Sequence, residues 1–268
     1  MIKLAPQTVE FNGEELFVLE GRLSELQISE TTENLLEQVH SNSREKATAV
    51  GASAAITGMA NIVASSSALV FYDGEDTYNF AAILNGKDVV CGTFKGAATF
   101  ENGESVRFVV AKRGDVYFVH AAYRIKPKVL LIPSMIYNGD GAHFRSCMRT
   151  GRNIAIGGSA LFFVFFSIFA FFDDAPLKTD GLPFLLFLCV SGSSILGFGE
   201  EYWTYTSTRE WGLHGSAIFK ALGVPRPDDF SLEGHLDLGQ TSVPLGYLFE
   251  KALDAHVKRY PELAAPNT

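Results

Sequence analysis

The chain has 268 residues, 22 Lys and Arg against 30 Asp and Glu, and a formal net charge of −8. That balance excludes a phosphate-neutralising nucleic-acid binder, which needs a basic surplus. The mean hydropathy is +0.13 although 19% of the residues are charged, so the apolar residues must be concentrated in particular segments. Cys91, Cys147 and Cys189 lie far apart. They form no CxxC pair, which excludes a disulfide framework or zinc ribbon and leaves buried or lipid-facing thiols.

The first residues, Met1-Ile2-Lys3-Leu4-Ala5-Pro6, contain no apolar run of signal-peptide length, so export by the general secretory route is not expected. Residues 14–135 read mainly as β structure. Residues 16–28 are extended with a bend at Gly21, and 79–84 and 89–92 flank Asn85-Gly86, a strong hairpin-turn signal. Residues 105–111 alternate, with Val106, Phe108 and Val110 on one face. Lys112-Arg113-Gly114-Asp115 turns the chain, 116–123 returns, and 129–132 runs to Pro133. Five or six short strands with tight turns predict a small barrel or open sheet of OB or SH3-like kind, filling residues 1–145.

Residues 47–72 interrupt this pattern with 26 uncharged positions rich in Ala, Gly and Ser. The segment is long enough to cross a bilayer but has few large side chains to drive insertion. Ala47, Gly51 and Ala55, and again Ala54 and Gly58, stand at the four-residue spacing of close helix contact. Three readings stand side by side: a packed soluble helix or loop, a third span, or a segment that inserts only on assembly.

Residues 153–172 and 182–199 carry no charge, and the first run holds twelve Leu, Ile, Val and Phe, Phe166 among them. Twenty helical residues rise about 30 Å, the thickness of a hydrocarbon core. Those twelve side chains contribute about −5 kcal/mol on an insertion scale. Two such runs, nine residues apart, predict a transmembrane helical hairpin occupying residues 146–205. Gly192, Ser193 and Gly197 facing Gly157 and Ala160 are expected to let the helices approach closely. Arg145, Arg149 and Arg152 precede the first run, whereas the connecting loop holds Lys178 against Asp173, Asp174 and Asp180. The positive-inside rule then puts both termini in the cytoplasm. Tyr202, Trp203 and Tyr205 follow the second span as interfacial aromatics. Residues 206–268 read as a cytoplasmic helical tail, with one helix over 213–222 stopped by Gly223 and Pro225 and another over 243–260.

No side-chain pattern points to catalysis, a cofactor or a metal. The six histidines form no i, i+4 pair, and no HExxH, P-loop, G-x-S-x-G or G-x-G-x-x-G occurs. His120, flanked by strand residues, is read as a sheet-surface side chain. The expectation is an α+β membrane protein that is not an enzyme.

The order of several short segments carries a resemblance. These are Leu19-Glu20-Gly21-Arg22-Leu23 with Ile28-Ser29, then Gly51, Gly58 and Met59, then Gly103-Glu104-Ser105-Val106 and Arg113-Gly114-Asp115. Pro133, Ala142-His143 and the run from Ile218 to Pro225 complete the series. Over nearly its whole length the chain resembles a family of bacterial proteins described as candidate type VI secretion system effectors. The resemblance implies an inner-membrane protein of a Gram-negative bacterium, active in interbacterial competition and acting on the lipid bilayer by insertion. The alternatives are a membrane-anchored immunity protein that blocks a cognate toxin, and an envelope scaffold. The partners implied are the bilayer, a secretion chaperone or spike protein, a cognate effector or immunity protein, and further copies of the chain.

Overall fold

The computed structural model describes residues 4–29, 77–95, 100–132, 136–172, 182–237 and 246–264. Residues 47–72, with Gly51 and Gly58, and the loop 173–181 lie outside them. The strands are β1 (Val9–Phe11), β2 (Glu14–Ser29), β3 (Thr77–Leu84), β4 (Asp88–Lys95), β5 (Ser105–Arg113), β6 (Val116–Arg124) and β7 (Val129–Leu131). Two long helices follow, α1 (Asp140–Phe172) and α2 (Leu182–Ala221), then β8 (Leu236–Asp237), β9 (Gly246–Leu248) and α3 (Phe249–Arg259).

The sixteen-residue β2 is shared between two edges, pairing antiparallel with β3 from Leu23 onward and with β5 from Leu16 to Arg22. β3 pairs with β4, β5 pairs with β6, and β6 meets β4 in parallel register at Val89↔Val116, Val90↔Tyr117 and Cys91↔Phe118. The circuit β2-β3-β4-β6-β5 therefore closes on itself into a five-stranded barrel, which satisfies the edges that an open sheet leaves bare. The expected turn at Asn85-Gly86 is present, with φ of 54° and 71°. The Asn85 amide also ties it to the neighbouring strand, accepting from the Arg22 N–H (3.0 Å) and donating to the Glu20 carbonyl (3.1 Å).

Alternation along these strands fills the barrel with Leu23, Phe80, Leu84, Val90, Phe94, Val106, Phe108, Val110 and Val119, joined by Phe100 from the approach to β5. The other face of β2, β5 and β6 is apolar too, at Leu16, Val109, Ala111 and Ala121, and requires a cover. That cover comes from the far end of the chain: Ala217, Ile218, Phe219, Ala221 and Leu222 of α2, then Val224, Phe230 and Leu232, and Phe249, Ala252 and Leu253 of α3.

The sequence reading of 206–268 as a tail with its own helix over 213–222 gives way here. Residue 206 lies inside α2, which runs unbroken for 40 residues, and the stretch beyond it is a wall of the barrel domain. The helix does stop where expected, at Gly223 in the left-handed region (φ 81°). The helix read over 243–260 is shorter at its start: 246–248 are strand β9, drawn into the sheet by β7 at Val129↔Leu248 and Leu130↔Tyr247.

Candidate functional site

α1 and α2 pack antiparallel and extend about 50 and 60 Å at 1.5 Å per residue, well beyond a 30 Å hydrocarbon core. Their contact face is built from small residues. A Cβ on Gly197 would lie 2.6 Å from the Gly151 carbonyl oxygen and 3.0 Å from the Ala155 nitrogen, and one on Gly158 would lie 3.1 Å from the Ser193 oxygen. Gly151, Ala155 and Gly158 thus face Cys189, Ser193 and Gly197 at helical spacing. Of the expected contact residues, Ser193 and Gly197 are in the seam. Gly157, Ala160 and Gly192 face outward, and a Cβ on either of those glycines would meet nothing. The reason is angular: neighbouring residues on a helix point about 100° apart, so in Gly157-Gly158 only one glycine can lie in the seam.

The outward faces are apolar throughout the expected spans. Leu161, Phe162, Val164, Phe165, Phe166 and Ile168 are exposed on α1, and Phe184, Phe187, Leu188, Val190, Ile195 and Leu196 on α2. Only 11% and 17% of the most apolar eighteen-residue stretches of the two helices are buried, whereas a soluble core helix would be mostly buried. Both helices are long and apolar enough to cross a membrane. On α1 the hydroxyls bond back to the preceding turn, Ser159 donating to Ala155 O (2.7 Å) and Ser167 to Phe163 O (2.8 Å), whereas the Ser193 hydroxyl, buried in the seam, has no hydrogen-bond partner. Tyr202 and Trp203 stand exposed just past the second stretch.

Below the apolar stretches the seam turns polar. Tyr205 donates to Asp140 Oδ1 (3.1 Å), His143 Nε2 meets Thr208 Oγ1 (2.8 Å), and Ser216 Oγ accepts the Asp140 N–H (2.9 Å), capping α1 from α2. Burial holds the His143 imidazole below its ordinary pKa. Of the three arginines, Arg145 grips the side chain and carbonyl of Asp229, Arg149 lies 3.7 Å from Glu233, and Arg152 is exposed. Two of the three are therefore already paired with the segment that follows α2.

No protein-family model, curated protein or solved structure matches this chain. Its candidate function is carried by the site alone.

One element of that site escapes the linear pattern. In the β5–β6 ladder Val109 pairs with Ala121 and Val110 with Val119, so His120 is an extra residue, a bulge that swings its side chain out of register. The ring is not on the sheet surface, as the sequence suggests, but buried at 7% exposure beneath α2. There its Nδ1 lies 2.9 Å from Nε2 of His214, whose ring stacks on Phe11 at 4.8 Å. The second His120 nitrogen, Nε2, is buried without a hydrogen-bond partner and points at Glu14 Oε2, 3.8 Å away; Glu14 is held from the other side by Arg113. A bare ring nitrogen facing a carboxylate is unfavourable. The arrangement therefore selects His214 Nε2–H donating to His120 Nδ1, with the His120 proton on Nε2 toward Glu14. Burial pushes His120 down to about 4, with Arg113 adding to it, and His214 down to about 3, with His120 adding to it. Two neutral imidazoles thus lock α2 to the barrel. The sequence signal was faint: the strict alternation of β6 slips at His120-Ala121-Ala122.

The three cysteines are free and buried, as expected. Burial pushes the Cys91 thiol up to about 12. Among the described residues, no group of three or more His, Cys, Asp or Glu could hold a metal ion.

Proposed function

We propose that the chain is a non-enzymatic integral protein of a bacterial inner membrane, with the barrel and both termini on the cytoplasmic side. The observation that carries the proposal is the form of α2: one unbroken helix whose first half turns an apolar face outward and whose last turns supply Ile218 and Phe219 to the barrel core. A lipid environment covers the exposed face, which would aggregate in water. The basic residues Arg145, Arg149 and Arg152 all lie at the barrel end, which supports the cytoplasmic placement. The strand circuit, with a long shared first strand and parallel third and fifth strands, supports the OB-like member of the two barrel types read from the sequence.

In the setting that the sequence resemblance implies, type VI secretion and competition between bacteria, a barrel fixed to the membrane surface suits an immunity protein that meets a toxin there. An inserting effector is the second reading. It is favoured by the open positions at Gly157 and Gly192 on the outward face, where another hairpin can pack closely. Two helices alone enclose no channel, so that reading requires several copies. Production in a naive host separates the two. Protection against a neighbouring toxin supports the immunity role, and growth arrest with dye entry supports the effector. Removal of the protein from membranes by carbonate refutes both.

A further inference from the structure

The segment after α2 climbs alongside α1 toward the bilayer. Asp229 is bound by Arg145, and Glu233 lies against Ser146 (3.3 Å) and Arg149 (3.7 Å), one turn further along. The chain then reverses at Gly234, in the left-handed region at φ 79°. Arg149 precedes Asn153, the first residue of the uncharged run, by four positions, about 6 Å along the helix. A leaflet's polar zone is about 5–7 Å deep, the difference between the full bilayer and its hydrocarbon core shared between two sides. On the membrane-spanning reading above, the Glu233-Gly234 turn and Arg149 therefore lie at headgroup depth.

Between this turn, α1 and α3 lies a cleft of about 440 Å³ with Arg149, Glu233, His235, Ala255 and Arg259 among its walls. Its size is in the range of small-ligand pockets. Its charge is mixed: Arg149 and Arg259 are exposed cations, and Glu233, half exposed, is the carboxylate left over once Arg145 has taken Asp229. At 3.7 Å the Arg149–Glu233 pair is too long for a good charge-assisted hydrogen bond, which closes at about 2.7–2.9 Å.

We propose that this cleft seats the headgroup of a phospholipid carrying both a phosphate and a primary ammonium. The phosphate lies between the guanidinium groups of Arg149 and Arg259, which match its oxygens with forked N–H donors. The ammonium reaches the Glu233 carboxylate, so both members of the loose ion pair gain a better partner. A choline headgroup has no N–H to give Glu233. A glycerol headgroup brings an anion without a cation and leaves Glu233 uncompensated beside it. The inference rests on the membrane-spanning reading; the zwitterionic preference is its own content.

The test reconstitutes the full chain into phosphatidylcholine vesicles and first checks that it resists carbonate extraction. It is then exposed to detergent micelles holding equal amounts of ethanolamine, glycerol and choline phospholipids, and the retained lipid is counted by native mass spectrometry. One charge-assisted contact at a half-exposed site predicts about fivefold retention of the ethanolamine lipid over the other two. Glu233→Gln and Arg149→Gln should each remove that preference, while Arg152→Gln, nearer the hydrocarbon and outside the cleft, keeps it. Equal retention of all three lipids overturns the proposal. So does a preference for the glycerol lipid that Arg149→Gln abolishes and Glu233→Gln does not, which would make the cleft a plain basic patch. A preference that neither variant alters places the lipid elsewhere and also overturns it. Loss of the protein in the carbonate wash refutes the spanning reading instead, before any lipid is counted.

Discussion

Acidification should loosen the joint between the barrel and α2. In an unfolded chain both His120 and His214 titrate at the ordinary value of 6.5; in the folded chain they are held at about 4 and about 3. Above about pH 6.5 both are neutral in either state and their titration makes no difference. As the pH falls through that value, the unfolded chain takes up protons that the folded chain refuses. Stability is therefore lost from about pH 6.5 down to about pH 4 for His120 and about pH 3 for His214, at about 1.4 kcal/mol per unit for each ring. At about pH 5 the loss is on the order of 2 kcal/mol per histidine, with Glu14 positioned to offset part of it.

The perturbation that removes this cost is the double substitution His120→Leu/His214→Leu, which takes away both partners together and leaves no orphaned nitrogen. Urea unfolding in micelles can be followed by Trp211, which packs against the core between the barrel and its cover, in a Trp203→Phe background. Burial also holds His143 and His256 below their ordinary values, so the quantity to compare is the pH dependence of wild type against the double variant. Wild type should lose about 2–4 kcal/mol more than the variant between about pH 7 and pH 5. Parallel pH curves would refute the idea that this pair is buried and neutral.

Phe166→Arg places a charge on the exposed face of the uncharged run 153–172 of α1 and should cost about 2.5–3.5 kcal/mol of insertion, releasing protein into the carbonate supernatant. Gly197→Leu pushes a side chain into the Gly151 and Ala155 backbone and should destabilise the hairpin by about 1–3 kcal/mol in thermal unfolding, whereas Gly192→Leu, in open space, should be neutral. With the three native thiols buried, Thr179→Cys should be labelled by an impermeant reagent from the periplasmic side and Lys87→Cys should not; labelling of Lys87→Cys in intact spheroplasts reverses the topology.

The parts of this fold that the sequence announces are those governed by neighbours in the chain. Asn85-Gly86 marks its hairpin because the turn needs two left-handed residues, and the apolar runs mark their helices because no charge interrupts them. The continuity of α2 is not announced. Residues 200–212 are polar and rich in Thr and aromatics, so they read as an exit from the membrane. They stay helical because Asp140 and His143 of α1 pair with Tyr205 and Thr208 along the same seam. The contact between His120 and His214 spans 94 positions, and neither residue looks unusual in its own surroundings. The seam itself is half legible: small residues mark it, but Gly157 and Gly158 are equally small, and only the angular register of the folded helix decides which of them faces the partner.

The cover of the barrel has a consequence for synthesis. Leu16, Val109 and Ala121 are made early, but the residues that shield them, from Ala217 to Leu253, leave the ribosome only after both apolar runs. Ala217 follows Ile132 by 85 positions (217 − 132), on the order of 4–17 s of translation at 5–20 residues per second. Throughout that interval the nascent barrel carries a bare apolar flank, and on the proposed membrane-spanning reading the hairpin meets the bilayer before the flank can be closed. On that reading membrane insertion is a step within the folding of the barrel, and a chain truncated just after the second apolar run would keep both runs but never complete the domain attached to them.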